Sequence, residues 1–213
     1  MTVFVSAGGG IISTEEGLNT SWIREFAKEI KSFAKKGVSF YIVVGGGKIA
    51  EQYVKATNEL KLKSDFADDI AIDVTKINAK LVKEYLKDIK NVVIDHGQKI
   101  GQTTDKVLID IAAKKEAKEV VNLTVVEGVY DKDPKKFTDA KLISHINASD
   151  YLKMFKEQQV HRPRVNTPFE YNAVKKALEE QIYIYVMSGL DPHKQFHDFL
   201  QGKRDVGTRI IPK

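Results

Sequence analysis

Hydrophobic and polar positions along this chain switch repeatedly between a period of two and a period near 3.6, and each switch predicts an element. Residues 2–7 (TVFVSA) form a short β-rich run that ends in a glycine turn. Trp22, Ile23, Phe26, Ile30 and Phe33 recur at helical spacing and predict a helix over 20–35. Residues 38–44 (VSFYIVV) are almost continuously apolar, as in a strand covered on both faces. Gly45, Gly46 and Gly47 end that run, and a helix is predicted from 48 to 59. A further amphipathic helix is predicted over 73–88, with Val74, Ile77, Leu81 and Tyr85 on one side. Then follow a strand at 91–95, a loop, a helix at 103–115 and a strand at 119–126. The chain closes with a helix at 168–180, a strand at 182–188, a helix at 191–201 and a terminal strand, GTRII. This alternation predicts one α/β domain, a three-layer sandwich with a mainly parallel central sheet and helices on both faces. Ligands in such folds sit at the carboxyl ends of the strands.

Composition narrows this reading. With 213 residues and 42% hydrophobic positions, the chain can bury a large core without covalent staples. The absence of cysteine excludes disulfides, thiolate metal sites and cysteine nucleophiles. A net charge of +5 raises the question of nucleic acid, but the lysines are interleaved with acids along helices, as on solvated faces. No aromatic-basic pattern of an RNA-binding sheet accompanies them, so no nucleic-acid partner is expected. No run approaches the length of a membrane span. MTVFVSAGGG has no basic region and only a few apolar residues, unlike a signal peptide. The expected location is cytoplasmic.

Three segments carry candidate chemistry. VSAGGGIIS (5–13) and YIVVGGGK (41–48) are both strand-to-glycine turns. Glycine lets backbone approach a phosphate closely, and its N–H groups form an anion nest. The bland reading is a pair of tight turns. Lys48 is either a phosphate contact or an exposed lysine at a helix start. Gly45, Gly47 and Ala50 form a loose dinucleotide fingerprint with Asp65 and Asp68 beyond it, but the unit follows the second strand rather than the first. No P-loop pattern is present. In IGQTTDKVLIDIAA (100–113), Thr103 and Thr104 precede Asp105 at a helix start. The hydroxyls suit an acceptor phosphate and the carboxylate suits phosphoryl positioning, while a plain cap and dipole partner is the alternative. In GVYDKDPKKF (128–137), Tyr130 and the Asp133-Pro134 turn suit the wall of an adenine pocket, or simply a good turn. His96, His145, His161, His193 and His197 show no metal-ligand spacing and read as surface or supporting residues.

Taken in order, these segments resemble the amino-acid kinase family over nearly the whole chain, and within it the UMP kinases of archaeal type. VEGVYDKDPKKFTDAKLI (126–143) is the most specific match. DDIAIDVTKINAKLV (68–82), GQTTD, VNTPFEYNAVKKAL (165–178) and GTRI (207–210) extend it. The resemblance implies phosphoryl transfer from MgATP to UMP without a covalent intermediate. It also implies an acceptor-binding part over about 1–118 and an ATP-binding part over about 119–213. Gly8, Gly9 and Gly10, with Thr124, Tyr130, Asp133 and Pro134, would then hold ATP. Gly45, Gly46, Gly47, Asp68, Thr103 and Thr104 would hold UMP. Asp105 and Lys48 would serve the transfer, with Mg2+ carried by ATP and no metal ligand from the protein. Self-association as a dimer or a hexamer of dimers is implied too. The alternatives are a related enzyme with another small acceptor and a non-catalytic nucleotide-binding protein.

The chain also departs from the pattern. Gly10 stands where a serine is usual, and Ser6 where bacterial relatives have lysine. Glu51 stands where an arginine would meet the UMP phosphate. Ala71 replaces a glycine and Lys76 an arginine. Val125 and Glu127 stand where an asparagine and an aspartate are usual. The stretch between Asn78 and Thr103 is shorter by roughly one strand-helix unit, a connection that normally needs a dozen or more residues. Lys48, Lys76 and Lys99 are candidates to supply compensating charge.

Overall fold

The computed structural model describes residues 1–156 and 167–213. The first half runs β1 (Thr2–Ala7), α1 (Gly9–Ile12), β2 (Ser13–Thr14), β3 (Gly17–Leu18), α2 (Thr20–Lys35), β4 (Ser39–Val44), α3 (Gly47–Glu59), α4 (Ser64–Tyr85) and β5 (Val92–Asp95). The second half runs α5 (Thr104–Lys114), β6 (Glu119–Thr124), β7 (Val129–Tyr130), β8 (Leu142–Ile143), β9 (His145–Asn147), α6 (Ala148–Met154), α7 (Tyr171–Glu179), β10 (Tyr183–Ser188), α8 (Gln195–Leu200) and β11 (Thr208–Ile211). Seven strands form one sheet in the order β5-β4-β1-β6-β10-β11-β9. Every neighbouring pair is parallel except β10 with β11.

The period-two pattern sorts the strand residues into two cores. Val3, Val5, Ala7, Phe40, Ile42 and Val44 pack under α2, α4 and α8. Phe4, Val43, Val120, Ile184 and Val186 face α5, α6 and α7 on the other side. Both faces of the central strands are therefore dry. That is why VSFYIVV shows no alternation, as expected of a doubly covered strand.

Two differences from the sequence pattern have physical causes. Helix α4 begins at Ser64, nine residues before the predicted 73, and of its expected apolar side only Val74 is buried. Ile77, Leu81 and Tyr85 are 65%, 42% and 48% exposed, whereas Ala67, Val74, Thr75, Asn78, Ala79 and Val82 are buried. Helix α4 packs closely along α3, and close approach selects small side chains over large ones. Late in the chain, α8 covers only 195–200 of the predicted 191–201, and α7 covers 171–179 of the predicted 168–180. The short hairpins β2–β3 and β7–β8, strand β9 and helix α6 have too little periodicity to be read in advance. The resemblance segment 165–178 begins, and His161 lies, outside the described residues.

Candidate active site

The strand register brings the carboxyl ends of β1, β4, β6 and β10 level with one another. Ala7 pairs with Val44 on one side and Leu123 on the other, and Leu123 pairs with Met187. The glycine triplets leave the sheet at this edge and lock together backbone to backbone. A Cβ on Gly9 would lie 2.4 Å from the amide nitrogen of Gly47, and one on Gly45 would lie 2.6 Å from that of Gly9. Gly47 also adopts φ +65°, a conformation that disfavours any side chain. The turns are thus both tight packing units and open backbone.

Buried Asn78 fixes the direction of the second turn. Its Nδ2 donates to the carbonyls of Gly45 at 2.9 Å and Gly46 at 3.2 Å. In a trans peptide the N–H points opposite to the C=O, so the amides of Gly46 and Gly47 point away from Asn78. Two amides of the triplets are already engaged: Gly8 donates to Leu123 at 2.9 Å and Gly45 to Ala7 at 3.0 Å. Gly8 consequently ties β1 to β6.

A cleft of about 250 Å³ opens over these turns. Gly9, Gly10, Gly45, Gly46 and Gly47 line its base. Asp68, Ala71, Ile72 and Thr75 of α4 form one wall, and Lys99, Gly101, Gln102, Thr103 and Thr104 form the other. The walls are joined. The Asp68 carboxylate accepts from the Gly101 amide at 3.0 Å, and the Thr75 hydroxyl accepts from the Gly97 amide at 2.9 Å. Thr103 combines both sequence readings, since it lines the cleft while its hydroxyl caps α5 by accepting from the Lys106 amide at 3.2 Å.

Glu51 also lines this cleft, whereas Lys48 does not. Lys48 Nζ instead lies 2.7 Å from Glu51 and 3.4 Å from Glu15. Its pKa is raised, chiefly by the hydrogen bond to Glu51. Among the described residues, the charged groups lining the cleft are two carboxylates, Glu51 and Asp68, and one ammonium, Lys99.

Asp105 stands in the first turn of α5, against the central strands. Its carboxylate accepts from the Ser6 hydroxyl at 3.2 Å and from the Glu170 amide at 3.1 Å. Burial pushes its pKa up to about 7, against the pull of these two donors, and the nearby Glu170 charge adds to the rise. Ser6, noted in the sequence only as a departure, is therefore a partner of the central carboxylate.

A second cleft, of about 440 Å³, lies beside the β7–β8 hairpin. Thr124, Tyr130, Asp133 and Pro134 all line it, together with Val125 and Phe155. The hairpin is hung from β11 by Thr208, whose hydroxyl accepts from the Val129 amide at 2.7 Å and donates to the Ile143 carbonyl at 2.6 Å. Its long turn is shaped by Asp131 and Asp133, whose side chains accept from the amides of Lys141 and Lys135. The Tyr130 hydroxyl donates to Glu127 at 3.3 Å, and burial raises its pKa.

The two clefts adjoin where Gly10 faces Val125. Gly10 lines the first, and a Cβ on it would lie 3.0 Å from Val125 Cγ1, which lines the second. A third cavity, of about 840 Å³, lies at the opposite end of the sheet between Phe4, Tyr41, Val93 and Lys118. It contains no residue of the glycine turns, and the carboxyl ends of the strands are where α/β folds hold ligands.

Sequence reasoning missed Asn78, Thr75, Gly97 and Glu170. Only Asn78 left a trace, as an amide inside an otherwise apolar helical stripe. Among the described residues no histidine lines either cleft, although the His96 ring contacts the carbonyl of the cleft residue Gly97. His193 and His197 both bond the buried Glu29, joining α8 and the turn before it to α2.

Comparisons with known proteins agree with this geometry. The model of the Amino acid kinase family matches residues 1–97 and 73–162. The uridylate kinase of Methanobrevibacter smithii is 30% identical over 231 aligned positions, covering all of both chains. That of Archaeoglobus fulgidus is 32% identical over 206 positions, covering 89% of this chain and 91% of that one. The crystal structure of uridylate kinase from Archaeoglobus fulgidus superposes with a TM-score of 0.78 at 30% identity, over 99% of this chain and 100% of that one.

Proposed function

The chain belongs to the amino acid kinase family, and from that premise we propose that it transfers the γ-phosphoryl group of ATP to UMP, giving UDP and ADP. The observation that carries this reading is the pair of clefts meeting at Gly10 and Val125. One is walled by α4 and the start of α5, the other by the β7–β8 hairpin. The first would take UMP against Gly45, Gly46, Gly47, Asp68, Thr103 and Thr104. The second would take ATP against Thr124, Tyr130, Asp133 and Pro134, its phosphates running over Gly9 and Gly10. The Gly46 and Gly47 amides, turned away from Asn78 at the base of the first cleft, suit phosphate oxygens.

In the transfer, an oxygen of the UMP phosphate forms a bond to the γ-phosphorus as the bond from that phosphorus to the β-bridging oxygen breaks. The electron pair leaves with ADP. An ionised phosphate needs no general base, so the protein contributes position and charge. Asp105 and Ser6 would hold the transfer line from below, and Lys48 would exchange its glutamate partners for phosphate. Mg2+ would arrive on the ATP phosphates and neutralise their charge.

The same reading includes a cytoplasmic location, which fractionation of producing cells would check. It also includes self-association, supported by the outward apolar stripe of Ile77, Leu81 and Tyr85 on α4. Sedimentation of an Ile77→Lys variant would test that interface.

A related acceptor carrying less negative charge than UMP is the second reading, favoured by Glu51 inside the first cleft. The deciding experiment is ADP release from MgATP with UMP, CMP and a panel of small acids. Turnover with UMP that vanishes in Asp105→Asn supports the proposal. Turnover with another acceptor alone supports the second reading. Nucleotide binding without any turnover overturns both.

A further inference from the structure

The turn that donates the Glu170 amide to Asp105 is itself held by a side chain with no place in either cleft's chemistry. Tyr151 of α6 is fully buried. Its hydroxyl donates to the Phe169 carbonyl at 2.6 Å and accepts from the Phe169 amide at 3.0 Å. Both backbone groups of one residue are thereby fixed by one oxygen. The next amide in the chain is that of Glu170, which reaches Asp105. From the neighbouring strand β6, Asn122 donates to the Pro168 carbonyl at 2.8 Å, and Asn122 stands in register with Ser6, the other donor to Asp105. The Asp105 carboxylate is thus addressed by β1 directly and by a turn anchored through α6 and β6.

We propose that Tyr151 is a positioning residue for Asp105: its hydroxyl sets the 168–170 turn, and that turn sets the carboxylate. This rests on the reading of Asp105 as the carboxylate of the transfer site. A buried phenol is costly unless its hydroxyl is bonded. A phenylalanine would supply the same packing, so the hydroxyl is present for what it holds. The Phe169 ring is buried in the same core, so rotation of the turn is opposed on its apolar side and directed on its polar side by Tyr151. When the hydroxyl is removed, the Phe169 amide and carbonyl lose their partner and the turn rotates to recover one. The Glu170 amide then leaves Asp105.

Two variants of the full chain test this. Tyr151→Phe removes the clamp and keeps the ring. Glu170→Pro removes the donated N–H together with the side-chain cap of α7, at a backbone φ of −67° that proline accepts. Glu170→Ala, which keeps the N–H but loses the side-chain cap of α7, is its matched reference. Asp105 is followed by carbon-13 titration of its carboxyl group. Loss of a hydrogen bond to the charged form raises a carboxyl pKa, so Tyr151→Phe is expected to move the titration up by at least about half a pH unit. Both Glu170 variants also remove a neighbouring negative charge that raises the Asp105 pKa, so Glu170→Ala is expected to move it down, and Glu170→Pro to lie at least about half a pH unit above Glu170→Ala. For turnover, kcat is expected to fall about tenfold in Tyr151→Phe with both KM values within about twofold, because a small misplacement costs rate more than binding. Tyr151→Phe that unfolds at lower denaturant while Asp105 titrates as in the parent would show a structural role only and overturn the proposal. An Asp105→Asn protein that still turns over would overturn the transfer-site reading instead, with the titration still deciding whether Tyr151 positions Asp105.

Discussion

The two clefts lie side by side yet are built in opposite ways. The first is made of backbone: two glycine turns in contact, with their direction set by a buried asparagine and no room for a methyl group. The second is made of side chains on a surface hairpin, shaped by Asp131 and Asp133 and suspended from one threonine. A backbone site changes all or nothing, because any side chain collides with peptide atoms. A side-chain site loses function in steps. The first cleft should therefore fail through folding and the second through affinity.

The largest expected effect concerns the Asp105 carboxylate, which lines neither cleft and is held by Ser6 and the Glu170 amide. Asp105 is raised to about 7 in the folded protein from an ordinary value near 3.8. A group with a raised folded pKa stabilises the fold fully below its unfolded pKa, and that stabilisation is lost as pH climbs through the folded value. Denaturant unfolding should therefore show stability falling between pH 4 and 7. At about 1.4 kcal/mol per pKa unit, Asp105→Asn should be up to about 4 kcal/mol more stable than the parent at pH 8. The same variant should have no turnover. A variant no more stable at pH 8 would remove Asp105 as a strained group.

Next is Gly9→Ala, whose Cβ would press on the Gly47 amide. Overpacking against backbone should cost about 3 kcal/mol, read as a lower midpoint in urea. If Gly9→Ala instead kept full stability and only weakened nucleotide binding, the contrast between the clefts would collapse.

Tyr130→Ala tests the other side. It should raise the KM for ATP about tenfold, leave the KM for UMP unchanged and keep the parent midpoint, since losing one stacking or packing partner costs about 1–2 kcal/mol. The smallest effect belongs to Glu51→Gln. Removing a carboxylate from the acceptor cleft should lower the KM for a phosphate acceptor about threefold at low salt and by less at high salt, because exposed charges are screened.

Much of this molecule was legible in its sequence. The central strands, α2, α3 and α5 could be placed because burial on one or both faces imposes period on apolar residues. The glycine triplets, Thr103 and Thr104 with Asp105, and the Tyr130 turn declared themselves as local chemistry, and all meet at one edge of the sheet. Contacts between distant segments were not legible. Ser6 and Asp105 are 99 residues apart, Asp105 and Glu170 are 65 apart, and Asn78 reaches back 33 residues to Gly45. Periodicity reports which side of an element is dry, and it says nothing of which neighbour is near enough to exclude a large side chain. Helix α4 shows this, since Ile77, Leu81 and Tyr85 face outward while smaller side chains are buried on its packed side. Residue types prescribed the strands, the turns and the kind of chemistry. Packing of those elements chose which glycine meets which, paired Lys48 with two glutamates, and seated the part-buried Asp105 carboxylate against a turn that a tyrosine holds.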